Sequence, residues 1–327
     1  MRISAVIHTY NREHLITETI DAVMAQTRPA DEIVVLDDGS KDGTLDLLKE
    51  RYGDKIKLVA HENSGCLAAR KRAIDHASGD WIALCDSDDL WVENHLERLC
   101  DLHAALPEAD MLFSNFEEFG SAAVSKDKFA AAGSAYWESF TAIDDSFIDM
   151  GTGIVAKFLE FNPVFPSATM FRMAAYEELG GIELSFNRIL SSDADLTRRF
   201  GVRHQTACNK EITVRVRKDG ENISGNSVAN GLGRIRILRE CIEHGEPFTD
   251  YRAEFEKTIE ITAIRAMEGA FSFRDFEAFH VAAHHVSWAR SPASLKIKRL
   301  IAGLPSPLRS LLVGIFGEKA ATSRTVT

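Results

Sequence analysis

The first 115 residues alternate short apolar runs with stretches of helical periodicity, and few folds accommodate that rhythm. Residues 3–7, 33–36, 56–59, 81–84 and 111–114 read as strands. Between them Leu15, Ile16, Ile20, Val23 and Met24 line one face of a helix that ends before Arg28-Pro29. Leu45, Leu47 and Leu48 mark a second helix, residues 66–77 a third and residues 92–105 a fourth. Alternation of this kind predicts an α/β fold whose mostly parallel sheet is covered by helices on both faces, with right-handed crossovers.

The rhythm breaks over residues 116–160, an Ala-, Gly-, Ser- and Phe-rich excursion with helix expected near 138–160. It returns as a strand at 168–172, a helix over 174–179, the turn Gly180-Gly181, a helix opening after Ser191-Ser192-Asp193, and a strand at 211–217 that runs into a polar loop with Asn222 and Ser224. From about 228 every pattern is helical. The expected organisation is an α/β domain over 1–227, divided into halves 1–115 and 116–227, followed by a helical region over 228–327.

Composition narrows the function classes. At 327 residues, with 45% hydrophobic and 27% charged residues, the chain suits one sizeable core plus an appended unit. A net charge of −11 argues against a nucleic-acid partner, which needs a basic stripe for phosphates. Cys66, Cys85, Cys100, Cys208 and Cys241 show neither metal-ligand spacing nor an even count, so reduced thiols in a cytoplasmic protein are expected. The opening residues are too quickly polar for a signal h-region, and no segment reaches the roughly 20 apolar residues of a membrane span.

Two acidic clusters sit where strands end. Trp81-Ile82-Ala83-Leu84 leads into Cys85-Asp86-Ser87-Asp88-Asp89, and Ile33-Val34-Val35-Leu36 leads into Asp37-Asp38-Gly39-Ser40. Ligands of open α/β sheets bind outside the carboxyl ends of the strands, so both clusters can face one crevice. Mg²⁺ or Mn²⁺ would take carboxylate oxygens there together with substrate phosphates. Turn and helix-cap roles are the alternative for either cluster taken singly.

In order along the chain stand Thr9-Tyr10-Asn11-Arg12, Asp37-Asp38-Gly39-Ser40, Asn63-Ser64-Gly65-Cys66 with Ala69-Arg70, Ser78-Gly79-Asp80, and Asp86-Ser87-Asp88-Asp89. Gly180-Gly181, Ser192-Asp193-Ala194-Asp195-Leu196 and Arg215-Val216-Arg217 before Asn222-Ile223-Ser224 follow. This series, over about residues 1–225, resembles a family-two glycosyltransferase of the GT-A fold, a Rossmann-like mixed sheet flanked by helices, here with a C-terminal helical extension. The resemblance implies an inverting enzyme that moves a sugar from a nucleotide diphosphate donor, a UDP-sugar, to a hydroxyl of a glycan or glycolipid acceptor.

The resemblance also implies roles. Asp88, with Asp86, matches the DxD motif and would hold a divalent metal that neutralises the leaving diphosphate. Thr9, Tyr10 and Arg12 stand where the family packs on and contacts the base, and Asp38 or Asp37 where it hydrogen-bonds base or ribose. Arg70 can reach the nucleotide from a helix, or be an exposed helix arginine. Arg217 replaces a histidine common on the loop over the diphosphate and keeps a cationic donor. Asp193 matches the second residue of the family's Glu-Asp pair, with Ser192 in place of the Glu, and is favoured over Asp195 as the base that takes the acceptor proton. Asp89 is expected to cap the following helix and His61 to be a surface histidine. Trp91, Phe116, Phe119, Tyr136, Trp137 and Phe140 either line the sugar sites or are core.

Toward the C-terminus, Lys296, Lys298, Arg299 and Arg309 interleave with Leu295, Ile297, Leu300, Ile301, Leu304, Leu308, Leu311, Leu312, Val313, Ile315 and Phe316. Such a basic amphipathic stretch, 295–316, fits contact with an anionic membrane face, as it fits packing on the α/β body or on a second copy in a homo-oligomer. The rival functions are a non-catalytic sugar-nucleotide-binding or scaffold protein on the same fold and a nucleotidyltransferase. The latter usually needs a Gly-rich basic loop where this chain has His8-Thr9-Tyr10-Asn11-Arg12.

Overall fold

In the computed structural model, residues 1–219, 227–310 and 312 are described. Their strands and helices run β1 (Ile3–Thr9), α1 (Ile16–Met24), β2 (Glu32–Asp37), α2 (Thr44–Tyr52), β3 (Lys57–Ala60), α3 (Cys66–Asp75), β4 (Trp81–Asp86), β5 (Leu90–Trp91), α4 (His95–Ala105) and β6 (Met111–Phe119). There follow α5 (Ser134–Trp137), β7 (Thr141–Ala142), β8 (Phe147–Gly151), α6 (Val155–Glu160), β9 (Thr169–Arg172), α7 (Met173–Glu178), α8 (Asp193–Arg203), β10 (Thr206–Arg217), α9 (Ser227–His244), α10 (Arg252–Ser272), α11 (Phe276–Ala283) and α12 (Ala293–Ala302). Two compact units result, Met1–Arg188 with Ser192–Asn222, and Ile189–Ser191 with Ile223–Thr327.

The first unit is built on a sheet of order β3-β2-β1-β4-β9-β6-β10-β8-β7, with β5 paired to β10. β1, β2, β3 and β4 are parallel, β9 inserts antiparallel between β4 and β6, and β10 lies parallel to β6. Ile3, Ala5, Ile7 and Val35 are fully buried, as expected of strands covered on both faces. Ile16, Ile20 and Val23 of α1 complete the same core. Register places Thr9 beside Asp37 and His8 beside Asp86, so the carboxyl ends of β1, β2 and β4 converge.

Three sequence expectations fail locally. The helix expected near 138–160 is confined to α6, because Asp144 accepts from the Ser146 and Phe147 N–H groups and turns the chain into the β7–β8 hairpin. β8 then pairs antiparallel with β10 from Thr206, a strand half that the expectation of 211–217 had missed. Asp89 caps no helix: α4 starts at His95, six residues on, and the chain first forms β5.

The second unit is helical. Phe248, Phe255, Phe271 and Phe279 form its interior, and Leu295 and Ile301 bury one side of α12 in it. Arg299 fastens α12 by donating to the carbonyls of Ala283 and Val286 and to Ser291 Oγ. Ile297 and Leu300, at 46% and 64% exposure, face outward. Leu311, Val313, Ile315 and Phe316 lie outside the described residues, as do Asn222 and Ser224. No described helix is long and apolar enough to cross a membrane.

Candidate functional site

The adjacent carboxylates Asp37 and Asp38 leave the end of β2 in different directions. Both Asp38 oxygens are engaged: Oδ1 accepts from Ser64 N and Oγ at 2.9 and 2.8 Å, and Oδ2 from Gly65 N at 3.0 Å. Asp38 thereby fixes the loop that leads into α3. Asp37 Oδ1 accepts from Gly39 N and Ser40 N, while its Oδ2 is buried without a partner among the described residues. Gly39, at φ +78°, lets this turn close: a Cβ there would lie 2.8 Å from Asn63 N.

Two further buried atoms without a partner among the described residues come from the end of β1 and the loop that follows it, the Thr9 hydroxyl and Arg12 Nε. Asn11, in the left-handed region at φ +51°, accepts from Lys41 N and so ties this loop to the one after β2. Tyr10 projects outward, 42% exposed. Buried polar atoms normally find partners, and those left open mark places where a ligand or water completes the set.

The acidic cluster after β4 separates into three environments. Asp86 Oδ1 accepts from Arg70 Nη2 at 2.7 Å, and the Arg70 side chain is 8% exposed, so Arg70 is a buried charge partner and not a surface helix residue. Burial disfavours ionised Asp86, but Arg70 and His8 outweigh it and hold the carboxyl below its usual range. Asp88 Oδ2 lies 3.7 Å from Arg12 Nη2, and burial together with the Asp86 charge pushes its carboxyl up. Asp89 accepts from Ser167 Oγ at 2.5 Å and from Arg217 N at 2.8 Å. Ser167 Oγ in turn accepts from Asp86 N, so one hydroxyl bridges both ends of the cluster. Burial and the two neighbouring carboxylates raise the Asp89 carboxyl well above its ordinary range.

Arg217 supports this cluster from behind. Its Nε donates to the Asp88 carbonyl at 2.9 Å and its Nη2 to Glu18 at 2.6 Å, with the guanidinium 4.5 Å from the Phe119 ring centre.

Arg70 and Asp193 line one cleft, together with Leu67, Glu183, Ser192 and Asp195. Asp193 is the first residue of α8 and exposed, with Ser192 at the cap position making no side-chain capping bond. Asp195 is buried and accepts from Arg199 Nε at 2.8 Å, whereas Asp193, like Glu183, is exposed in the cleft.

Most aromatic candidates are core. Trp91 is 4% exposed and donates to the Ser167 carbonyl, and Phe116 and Tyr136 are buried. Trp137 stacks on Phe129 at 4.3 Å, and Phe140 packs edge-on to Tyr136. His61 is exposed beside Arg72, as expected of a surface histidine. Sequence reasoning missed Ser167, for which only its position before β9 gave any signal, and it missed the contact of His8 with Cys66, 58 residues apart.

The residues fit a divalent cation, although no group of three or more ligand side chains is present among the described residues. Asp86 and Asp88 are two half-buried hard oxygen donors whose charges repel, and Mg²⁺ or Mn²⁺ commonly takes one or two carboxylates and fills its sphere with phosphate and water.

A mixed, mostly parallel sheet flanked by helices, with carboxylates at the carboxyl ends of its second and fourth strands, is the architecture of the GT-A class of α/β transferases. The family model for glycosyl transferase family 2 matches residues 4–180, and the chain belongs to that family and is a glycosyltransferase. EpsE of Bacillus subtilis (strain 168), which carries a glycosyltransferase name, is 27% identical over 256 residues, 76% of this chain and 85% of its own length. WfgD of Escherichia coli, named as a UDP-Glc:alpha-D-GlcNAc-diphosphoundecaprenol beta-1,3-glucosyltransferase, is 41% identical over 96 residues. That match spans 29% of this chain and 38% of WfgD. In fold the chain is similar to S. aureus TarS 1-349 in complex with UDP-GlcNAc, with a TM-score of 0.60 and 20% identity over 97% of this chain and 88% of that one. It is also similar to the mannosyltransferase PcManGT of Pyrobaculum calidifontis, in complex with GDP-Man and Mn2+, with a TM-score of 0.55 and 18% identity over 98% and 86%.

Proposed function

We propose that this glycosyltransferase transfers a sugar from a UDP-sugar to a hydroxyl of a glycan or glycolipid acceptor, with inversion at the anomeric carbon. The observation that carries the donor half is the set of buried, unpartnered atoms Thr9 Oγ1, Arg12 Nε and Asp37 Oδ2 beside the Asp86–Asp88 pair. Asp37 offers one free carboxylate oxygen, since Oδ1 already accepts two backbone N–H groups. One free acceptor suits the single imino N–H of uracil, whereas guanine presents two adjacent donors on that edge. Arg12 supplies positive charge for phosphate oxygens.

A divalent cation on Asp86 and Asp88 would neutralise the charge that develops on the departing diphosphate. Arg70 holds Asp86 ionised and in place. Asp193 takes the acceptor proton as the oxygen attacks the anomeric carbon from the face opposite the diphosphate, which gives a single displacement through an oxocarbenium-like transition state. The name of WfgD supports a lipid-linked acceptor, and the outward apolar side of α12 with its neighbouring lysines would serve as a membrane contact.

Calorimetric titration with UDP and with GDP, each with and without Mn²⁺, tests the donor site. UDP is expected to bind in a Mn²⁺-dependent way that Asp88→Ala abolishes. GDP binding tighter than UDP, or UDP binding untouched by Asp88→Ala, refutes the assignment.

A further inference from the structure

Cys66 differs from every other thiol of the chain in its surroundings. Cys85, Cys208 and Cys241 are buried and Cys100 is half-buried, while Cys66 is exposed. It is the first residue of α3, where the helix dipole favours negative charge, and Arg70 lies one turn further along. His8, at the end of β1, places Nε2 3.1 Å from Cys66 Sγ. The charged groups facing the pair are Arg70 and Asp86. An exposed thiol in an electropositive setting with a proton acceptor in contact is the arrangement of a reactive cysteine.

We propose that the Cys66–His8 pair is a covalent-modification site for hydroperoxides, and that its oxidation closes the nucleotide site. His8 holds the thiol proton. The thiolate sulfur attacks the terminal peroxide oxygen, an S–O bond forms and the O–O bond breaks, and the leaving oxygen takes the proton from His8 to become water or an alcohol. Sulfur loses two electrons and the peroxide gains them, which leaves Cys66 as a sulfenic acid. The effect on the donor follows from position and rests on the function proposed above. His8 adjoins Thr9 and is level with Asp86 across the β1–β4 register, and Cys66 directly follows the Ser64-Gly65 loop held by Asp38. An oxygen on Sγ breaks the contact with His8 at the point where these elements meet.

The test treats the full chain with limiting hydrogen peroxide, traps sulfenic acid with dimedone and quantifies all five cysteines by peptide mass spectrometry. Cys66, exposed and in contact with a proton acceptor, is expected to react at least about tenfold faster than the half-buried Cys100, and His8→Asn to slow it by about the same factor while the circular dichroism spectrum is kept. UDP binding should fall in step with Cys66 oxidation, return with dithiothreitol, and persist under peroxide in Cys66→Ser. Labelling of Cys66 no faster than of Cys100, an unchanged rate in His8→Asn, or unchanged UDP affinity after oxidation overturns the proposal. Should the untreated protein bind no UDP, the donor reading is what fails, and the labelling rates still decide whether the pair is reactive.

Discussion

His95 makes the stability of the α/β unit depend on acid, by an amount that follows from its burial. The ring is fully buried at the start of α4, with Nδ1 2.8 Å from Thr213 Oγ1, Nε2 unpartnered, and the Trp91 ring 4.8 Å away. Burial pushes its pKa down to about 3 from 6.5. Between those values the unfolded chain carries a proton on His95 that the folded chain does not, so stability is full above 6.5 and is lost as pH falls. Linkage puts the loss from this one group at about 2 kcal/mol between pH 8 and pH 5. His95→Asn keeps a polar atom near Thr213 and removes the titration. Urea unfolding of both proteins at the two pH values, followed by the fluorescence of the buried Trp81 and Trp91, measures the difference, because all other titrating groups cancel. The wild type should lose about 2 kcal/mol more than the variant. Equal losses within the roughly 10–15% extrapolation error would refute the claim that His95 is held neutral by burial.

Asp193→Asn is expected to lower turnover by about 10²- to 10⁴-fold with UDP affinity unchanged; turnover that survives assigns the base elsewhere. Ser167→Ala removes the hydroxyl that donates to Asp89 and accepts from Asp86 N, leaving two buried groups short of a partner, and should cost about 1–3 kcal/mol in thermal unfolding. A stable variant would mean that the bridge is not needed. Gly39→Ala places a methyl 2.8 Å from Asn63 N at a left-handed φ, which costs about 1–2 kcal/mol before any clash. Thermal unfolding should show about that loss, and calorimetry a lower UDP affinity because the turn that orients Asp37 must shift; unaltered affinity would separate this turn from the donor site.

Legibility varied along the chain for identifiable reasons. The strands and helices of the first 115 residues carry strong periodic signals, and there the structure departs from expectation mainly by the two-residue β5. The excursion after β6 carries no such signal. Its hairpin exists because Asp144 caps a turn and β10 offers an edge for β8, and the second of these conditions is not local. Asp89 illustrates the same limit. Asp before an aromatic and a helical pattern has the composition of an N-cap, yet its partners are Ser167 and Arg217, 78 and 128 residues away.

Periodicity and turn chemistry are properties of neighbouring residues, so the sequence by itself determined the α/β body, the placing of acidic clusters at strand ends and the helical character of the C-terminal region. Which carboxylate of each cluster is open to a ligand was decided only in three dimensions. Asp37 and Asp38 are adjacent and alike, but Ser64 and Gly65 engage one and leave an oxygen of the other bare. Asp193 and Asp195 are two residues apart on α8, and tertiary packing buries only the second. The contact of His8 with Cys66 likewise joins the end of a strand to the start of a helix. A side chain's chemistry here depends on which distant groups desolvate it or share its hydrogen bonds, and those groups meet it only when the parallel strands bring their carboxyl ends to one edge.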